Sequence, residues 1–432
     1  MTTTIPLDGS IDRRFNLRNA RLFLLPILGN VVEYYDYALY GFCAKLFVTQ
    51  FFPTDAPALA LLKTFGVFLV GSLAKPLGAL VFGTLGDQYG RKLALRVSMI
   101  GITLPTFCMG FMPTYQEIGW LAPLLLLICR ALQGIFTAGE SDGVRLFIYE
   151  SLGKHRPYFA NSLSGLSSLL GIYFASLAAT VAVSFEGSYA WRIPFLFGGI
   201  LGILVFLSRC YLQESREYQE YRDNAVIKPL ESLNCVVRKN KRFIFATILL
   251  CGAAGGTYHF YMVFLGNYFS MALNRLDPAT ATYLTTQTVL IYTLCGPLSG
   301  LLADRFGAIR VMKFSLWGLF IAAILNIALF HETEIFSWLM GITAAFIACF
   351  QGPGFVVLFQ KFKVSERYRC VSIGHALGSM LFSGSAPFVG FWIWQQSGIA
   401  VLPFVYFLIL IGMGFLAVFL LNDRLYTSIP TE

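Results

Sequence analysis

Hydrophobic residues run along this chain in long unbroken blocks rather than at every second or every third to fourth position. A helix that crosses the hydrocarbon core of a bilayer needs about 20 mostly apolar residues. Twelve blocks reach that length, at residues 22–50, 58–86, 93–112, 118–150, 158–184, 191–212, 243–272, 279–303, 310–331, 335–361, 367–396 and 400–421. Turn formers and charges part them: Phe52–Pro53–Thr54, Gly90–Arg91–Lys92, Met112–Pro113, Lys154 to Arg156, Glu186–Gly187, Asp277–Pro278 and His331–Glu332. The pattern predicts an all-α membrane protein of 12 transmembrane helices. An even number of crossings places both termini on one side. One long polar connection, 213–242, holds ESREYQEYRDN and VVRKNKR. It divides the chain into a six-helix bundle at 1–212, a linker, and a second six-helix bundle at 243–432.

Composition agrees with a chain solvated by lipid: 56% of residues are hydrophobic and 13% charged, where a soluble domain carries about 25% charge. The formal charge of +9 raises an anionic partner such as nucleic acid. Its distribution argues otherwise. Of 32 Lys and Arg, 25 fall in or at the edge of the N-terminal segment, the even-to-odd connections and the C-terminal tail. Arg192 and Arg275 alone fall in or at the edge of the opposite connections, and five, Lys45, Lys63, Lys75, Arg130 and Arg145, lie deeper inside blocks. This asymmetry marks the rich side as cytoplasmic. It predicts a lipid bilayer, and no nucleic acid, as the surroundings. The four Arg before the first block imitate a signal peptide, but that block is too long and carries acids, so a retained first helix is expected. The nine cysteines form no C-x-x-C pair and read as small buried hydrophobes.

The chain repeats itself at half its length. GTLGDQYGRK stands at 83–92 and GLLADRFGAIR at 300–310. Asp87 and Asp304 are 217 residues apart in a chain of 432. Two halves with matching loops predict a carrier built from repeats, with its site between them near mid-membrane.

The first of these loops resembles the signature loop of the major facilitator superfamily. Further stretches resemble one branch of it, the metabolite:proton symporters, which include proline/betaine, alpha-ketoglutarate, citrate and shikimate permeases. They are EYYDYALYG (33–41), KPLG (75–78), RALQGIFTAGE (130–140), WRIPF (191–195), QESREY (213–218) and TYHFY (257–261). The resemblance implies two bundles that rock about a central cavity. It also implies import of a small polar metabolite with protons across a bacterial inner membrane. A monomer without cofactor is expected. Lys75 stands where the branch usually has Arg, Ser141 to Arg145 adds two charges after Glu140, and Lys45 is foreign to the pattern. These departures fall where substrate should bind.

Charges inside apolar blocks are expensive and face a cavity or a partner. Glu33 and Asp36 are three apart, so they share a helix face with Tyr40. Two carboxylates so close in low dielectric do not both ionise readily, which suits proton coupling; the plain alternative is structural pairing with basic residues. Glu140 is a further proton-site candidate. Arg130 and Gln133 share a polar stripe with Gly134 and Thr137, and Arg130 is placed on a substrate carboxylate or on Glu33 or Asp36. Asp142 and Arg145 either bind substrate or neutralise each other. Lys75 and Lys45 are candidate substrate contacts. In the second half, Tyr258, His259 and Tyr261 form a candidate cage for a quaternary ammonium, with ordinary packing as the alternative. His375 precedes Gly378, Gly384 and Pro387 and reads as a site of close helix packing. The resemblance implies that Asp87 and Arg91, with Asp304 and Arg305, pair across helices and latch the inward gate, and Ala308–Ile309–Arg310 makes the second loop unlike the first. Five bases against five acids inside the blocks leave zwitterion and organic acid both open.

No phosphate-binding G-x-x-x-x-G-K-[ST], no H-E-x-x-H, no Cys/His metal spacing and no G-x-S-x-G occurs. An ATP-driven pump, a metal centre and an enzyme are not expected. The remaining alternatives are a proton-coupled exporter or an importer of a larger carboxylate such as a siderophore. NSLSGLSSLLGIYFASL (161–177) lacks the proline of the exporter motif and favours import.

Overall fold

The computed structural model describes residues 17–53, 57–152, 156–183, 189–224, 231–330 and 333–422; some helical side chains, including that of Lys45, lie outside the description. Every regular element among them is helical. The long helices are α1 (Leu17–Phe51), α2 (Pro57–Tyr89), α3 (Arg91–Phe111), α4 (Leu121–Leu152), α5 (Pro157–Val183) and α6 (Arg192–Arg209). There follow α7 (Leu233–His259), α8 (Pro278–Phe306), α9 (Ala308–Ala328), α10 (Thr333–Gln351), α11 (Arg367–Gly378) and α12 (Pro403–Leu421). Ten helical runs among the described residues are long and apolar enough to cross a membrane. α1 and α2, of 35 and 33 residues, are not among those ten.

Helix ends follow local chemistry. The linker predicted to last until 242 ends at Ser232, whose hydroxyl caps α7 by accepting from the N–H of Cys235 at 3.4 Å. Asp277 caps α8 in the same way at 2.9 Å, with Pro278 in the first turn. Gly90 turns α2 into α3 at φ 103°, a conformation that only glycine adopts without strain. The predicted span at 335–361 is interrupted at Gly352–Pro353, because proline cannot continue the hydrogen-bond ladder. Two π-turns, Phe260–Phe264 and Tyr268–Ala272, prolong α7, and a third, Ser379–Ser383, follows α11.

In the first half, α2 packs on α4, α1 on α5, and α3 on α4 and α6. In the second, α7 packs on α11 and α12, and α10 on α8 and α9. Two seams join the halves: α2 against α11, and α5 against α8. Small residues allow the closest approaches. A Cβ on Gly134 would fall on the backbone of Gly71, and one on Gly71 would stand 3.1 Å from the Arg130 carbonyl. In the second half the core is aromatic, with Phe260 stacked on Phe407 at 5.2 Å and Phe264 on Tyr268 at 4.8 Å.

Candidate functional site

Polar side chains that the apolar blocks cannot shed to lipid converge inside the first half. Glu33 and Asp36 on α1 are 2% and 1% exposed. Ser141 of α4 donates its hydroxyl to Glu33 Oε1. Thr106 of α3 lies 3.0 Å from Asp36 Oδ2. The other oxygens, Glu33 Oε2 and Asp36 Oδ1, are buried and accept no hydrogen bond. Arg130 connects to Asp36 indirectly: its Nη1 donates to Gln133 Oε1 at 2.9 Å, and Gln133 Nε2 donates to Thr106 Oγ1 at 2.7 Å. The Arg130 guanidinium lies over the Tyr40 ring at 4.4 Å, and the Lys75 ammonium over Tyr37 at 5.0 Å. Glu33, Asp36, Tyr37, Lys75, Arg130 and Gln133 all line one void of about 10 Å³, room for a single water. The structure thus brings together six residues of this group, five of them expected from the sequence.

Glu140 stands apart from this void. Arg209 grips both of its oxygens, through Nη1 at 2.7 Å and through Nη2, and Ser98 donates to Oε2 at 2.7 Å. Both partners are fully buried. A carboxylate so occupied is a tie between α4, α6 and α3, not an open proton acceptor. Arg209 counted as a loop charge in the sequence, and its burial reverses that reading.

Asp142 and Arg145 reach the seam between the halves. Asp142 Oδ1 lies 2.7 Å from His375 Nδ1 of α11 and 3.8 Å from Arg145 Nη1. The Arg145 guanidinium covers the Phe355 ring at 4.3 Å. The expected aromatic cage is only partly assembled. Tyr261 donates to Asn326 at 3.1 Å and packs on Phe407 inside the second-half core, fully buried, so it cannot touch a ligand between the halves. The helical spacing of 100° per residue explains this: Tyr258 and Tyr261 share a stripe in a regular helix, but the π-turn beginning at Phe260 breaks the register. Tyr258 instead meets Tyr292 at 5.0 Å. His259 Nδ1 lies 2.9 Å from the Gly255 carbonyl and 3.0 Å from Ser383 Oγ. The side chain of Lys45 lies outside the described residues.

One end of the molecule is closed by charge. Arg91 donates to Glu150 through Nε and Nη2, both at 2.9 Å, and to Asp87 at 3.1 Å. From the second half, Arg367 reaches Glu150 at 3.1 Å and Glu217 at 3.0 Å, and Arg369 reaches Asp87 at 3.2 Å. Asp87 also accepts from the backbone N–H of Tyr368 and Arg369, at 3.2 and 3.1 Å, so it sits on the first turn of α11. Asp304 does the same for α5, accepting from Tyr158 and Phe159 at 3.2 and 3.0 Å. Among the described residues Arg305 makes no ion pair. Arg305 is exposed, 5.4 Å from the Phe306 ring. The repeated aspartates therefore cap helices of the opposite half, which their spacing alone does not reveal. Tyr368 enters a slot beside Gly86 and Gly143 and donates to the Gly139 carbonyl, while Gly83 lies against Arg369. Glu214 accepts from the N–H of Arg91 and Lys92 at 3.1 Å. Burial nonetheless pushes its carboxyl above the usual glutamate range.

Residues that the sequence did not single out are Thr106, Ser141, Arg209, Tyr368 and the acid–base set Glu150, Glu214, Glu217, Arg367 and Arg369. A polar residue on the buried side of an apolar helix was the available signal for Thr106 and Ser141. Arg367 and Arg369 were visible only as topology charges.

The profile of the family described as "Sugar (and other) transporter" matches residues 22–233. The proline/betaine transporter of Escherichia coli (strain K12) is 28% identical over 403 residues, covering 90% of this chain and 80% of that one. The solved structure of the major facilitator superfamily proton:xylose symporter XylE, bound to 6-bromo-6-deoxy-D-glucose, superposes with a TM-score of 0.72 at 14% identity. It covers 95% of this chain and 96% of that one. The major facilitator superfamily transporter FucP in its outward conformation gives 0.69 at 11% identity, covering 93% and 99%. These likenesses establish the fold.

Proposed function

We infer that this chain, a transporter with the major facilitator fold, imports a small zwitterionic or acidic metabolite with protons by alternating access. Glu33 and Asp36 carry the inference. Each leaves one buried oxygen without a hydrogen bond, a costly state for an ionised carboxylate. Taking up a proton removes the charge and supplies the missing hydrogen. Two acids face two bases, Lys75 and Arg130, around the same void. A zwitterion adds no net charge to that balance, and it is the kind of compound that the related proline/betaine transporter carries by name. In this reading Arg130 and Lys75 receive the carboxylate, Tyr37 and Tyr40 position those cations, and Gln133 and Thr106 link Arg130 to Asp36.

The void is too small for a metabolite, so substrate enters only when the halves part. Asp87, Arg91 and Glu150, with Arg367 and Arg369, hold the cytoplasmic end closed and must separate in each cycle. The reading keeps 12 crossings, both termini in the cytoplasm, the inner membrane of a bacterium and a monomer. Glu140 is assigned to structure.

The test is current recording on purified protein in liposomes, with jumps of proline, glycine betaine, alpha-ketoglutarate, citrate and shikimate at two pH values. A pH-dependent current for one compound is expected. Glu33→Gln and Asp36→Asn should each cut proton-driven accumulation by roughly tenfold or more. Full accumulation in both variants places coupling elsewhere.

A further inference from the structure

Away from the paired carboxylates and from the charged end, a carboxylate–imidazole contact ties α4 to α11. Asp142 Oδ1 and His375 Nδ1 are 2.7 Å apart, with side-chain exposures of 3% and 28%. An ionised carboxylate only accepts hydrogen bonds. Nδ1 therefore carries a hydrogen, and Nε2 is the nitrogen that gains or loses a proton. The imidazole borders a void of about 50 Å³, enough for a few waters, walled also by Gln351, Phe355, Ser379 and Ser383. Phe355 holds the ring edge-on at 5.1 Å. The groups facing the pair are Arg145 on α4, Tyr368 and Ser372 on α11 and Cys251 on α7, while Glu33 and Tyr34 on α1 and Tyr292 on α8 face Arg145 in turn.

We propose that Asp142 and His375 form a proton-operated clasp between the two halves, shut while the imidazole is doubly protonated and loosened when Nε2 gives its proton to water in the void. With the imidazole doubly protonated the contact is an ion pair as well as a hydrogen bond, and with it neutral only the hydrogen bond to the carboxylate remains. Once the imidazole is neutral, Arg145, 3.8 Å from the same carboxylate oxygen and on the same helix, takes Asp142 over. The carboxylate then has two discrete partners, one across the seam and one beside it. The arginines that close the end of the molecule keep their charge at any physiological pH. His375 is thus the place where closure reads the proton concentration. The clasp rests on the alternating-access reading, but its readout needs no substrate.

Cys251 walls the same void and is 7% exposed. The experiment is alkylation of the full chain in detergent by a water-soluble maleimide. The Cys251 peptide is followed by mass spectrometry, and its rate is divided by that of the unfolded chain at the same pH. In the wild type this ratio should rise about tenfold between pH 5.5 and 8. His375→Asn keeps an N–H donor for Asp142 without a titrating nitrogen, and its ratio should stay flat. His375→Gln serves if the Asn variant does not fold. Asp142→Asn should give the high ratio at every pH. A wild-type ratio as flat as the variants', or variants that rise in parallel with the wild type, overturns the clasp. If the ratio tracks pH as expected while no compound drives a current, the transport reading fails and the clasp stands. A flat ratio in a protein that transports leaves transport and removes the clasp.

Discussion

Two neutral side chains link Arg130 to Asp36, and Thr106 is the hinge of that chain. Its hydroxyl accepts from Gln133 at 2.7 Å and can donate either to Asp36 or to the Ile102 carbonyl, both at 3.0 Å. A single hydrogen with two destinations makes the threonine sensitive to whether Asp36 is ionised. Thr106→Val has nearly the same shape and no hydroxyl. It leaves Gln133 and Asp36 short of a partner, at about 1–3 kcal/mol, and is expected to lower uptake in liposomes roughly tenfold with folding intact. Glu140 behaves differently. Glu140→Gln leaves the Arg209 guanidinium buried without its counter-charge, at about 3–5 kcal/mol. A lower thermal midpoint in detergent is the expected result, where Glu33→Gln should change coupling with little change in midpoint.

Glycines set how closely the helices that carry these side chains approach. Gly71 and Gly134 bring α2 and α4 together next to Lys75 and Arg130. Gly134→Val forces that contact apart and should cost about 1–3 kcal/mol by overpacking. A midpoint lowered by several degrees, with weaker substrate binding, is the expected pair of readouts; an unchanged midpoint refutes the contact. The π-turns are a second determinant. The turn starting at Phe260 sends Tyr261 into the core while Tyr258 and His259 stay partly open. No apolar periodicity announces it, because a π-turn depends on neighbouring helices relieving one residue of its regular hydrogen bond.

Across the whole molecule, two aspartates from repeated loops are each seated on a helix start of the other half. Asp87 also balances Arg91 and Arg369, so it carries more of the closure than Asp304. Asp87→Asn keeps the helix cap but removes a counter-charge from two buried arginines. It is expected to open that end, seen as longer spin-label distances between the halves and as a change in transport rate. Arg305→Ala, at an exposed position, should leave both within error, since surface changes of this kind stay within about 0.5 kcal/mol. Equal effects of the two substitutions contradict the asymmetry.

The long apolar blocks, the repeated loop and the carboxylates of α1 were legible in the sequence because each is a local property of the chain. Block length answers to bilayer thickness, and a charge inside a block demands a polar neighbour wherever the fold finds one. The identity of that neighbour is not local. Arg209 looked like a loop charge until α6 laid it on Glu140. Asp304 read as one charge of a gate until α5 offered its N–H groups. Asp142 met His375, 233 residues away, only because the halves close on each other. Which charges pair, and which oxygens stay without a partner, follows from helices packing in three dimensions, where Coulomb energy depends on distance in space rather than along the chain.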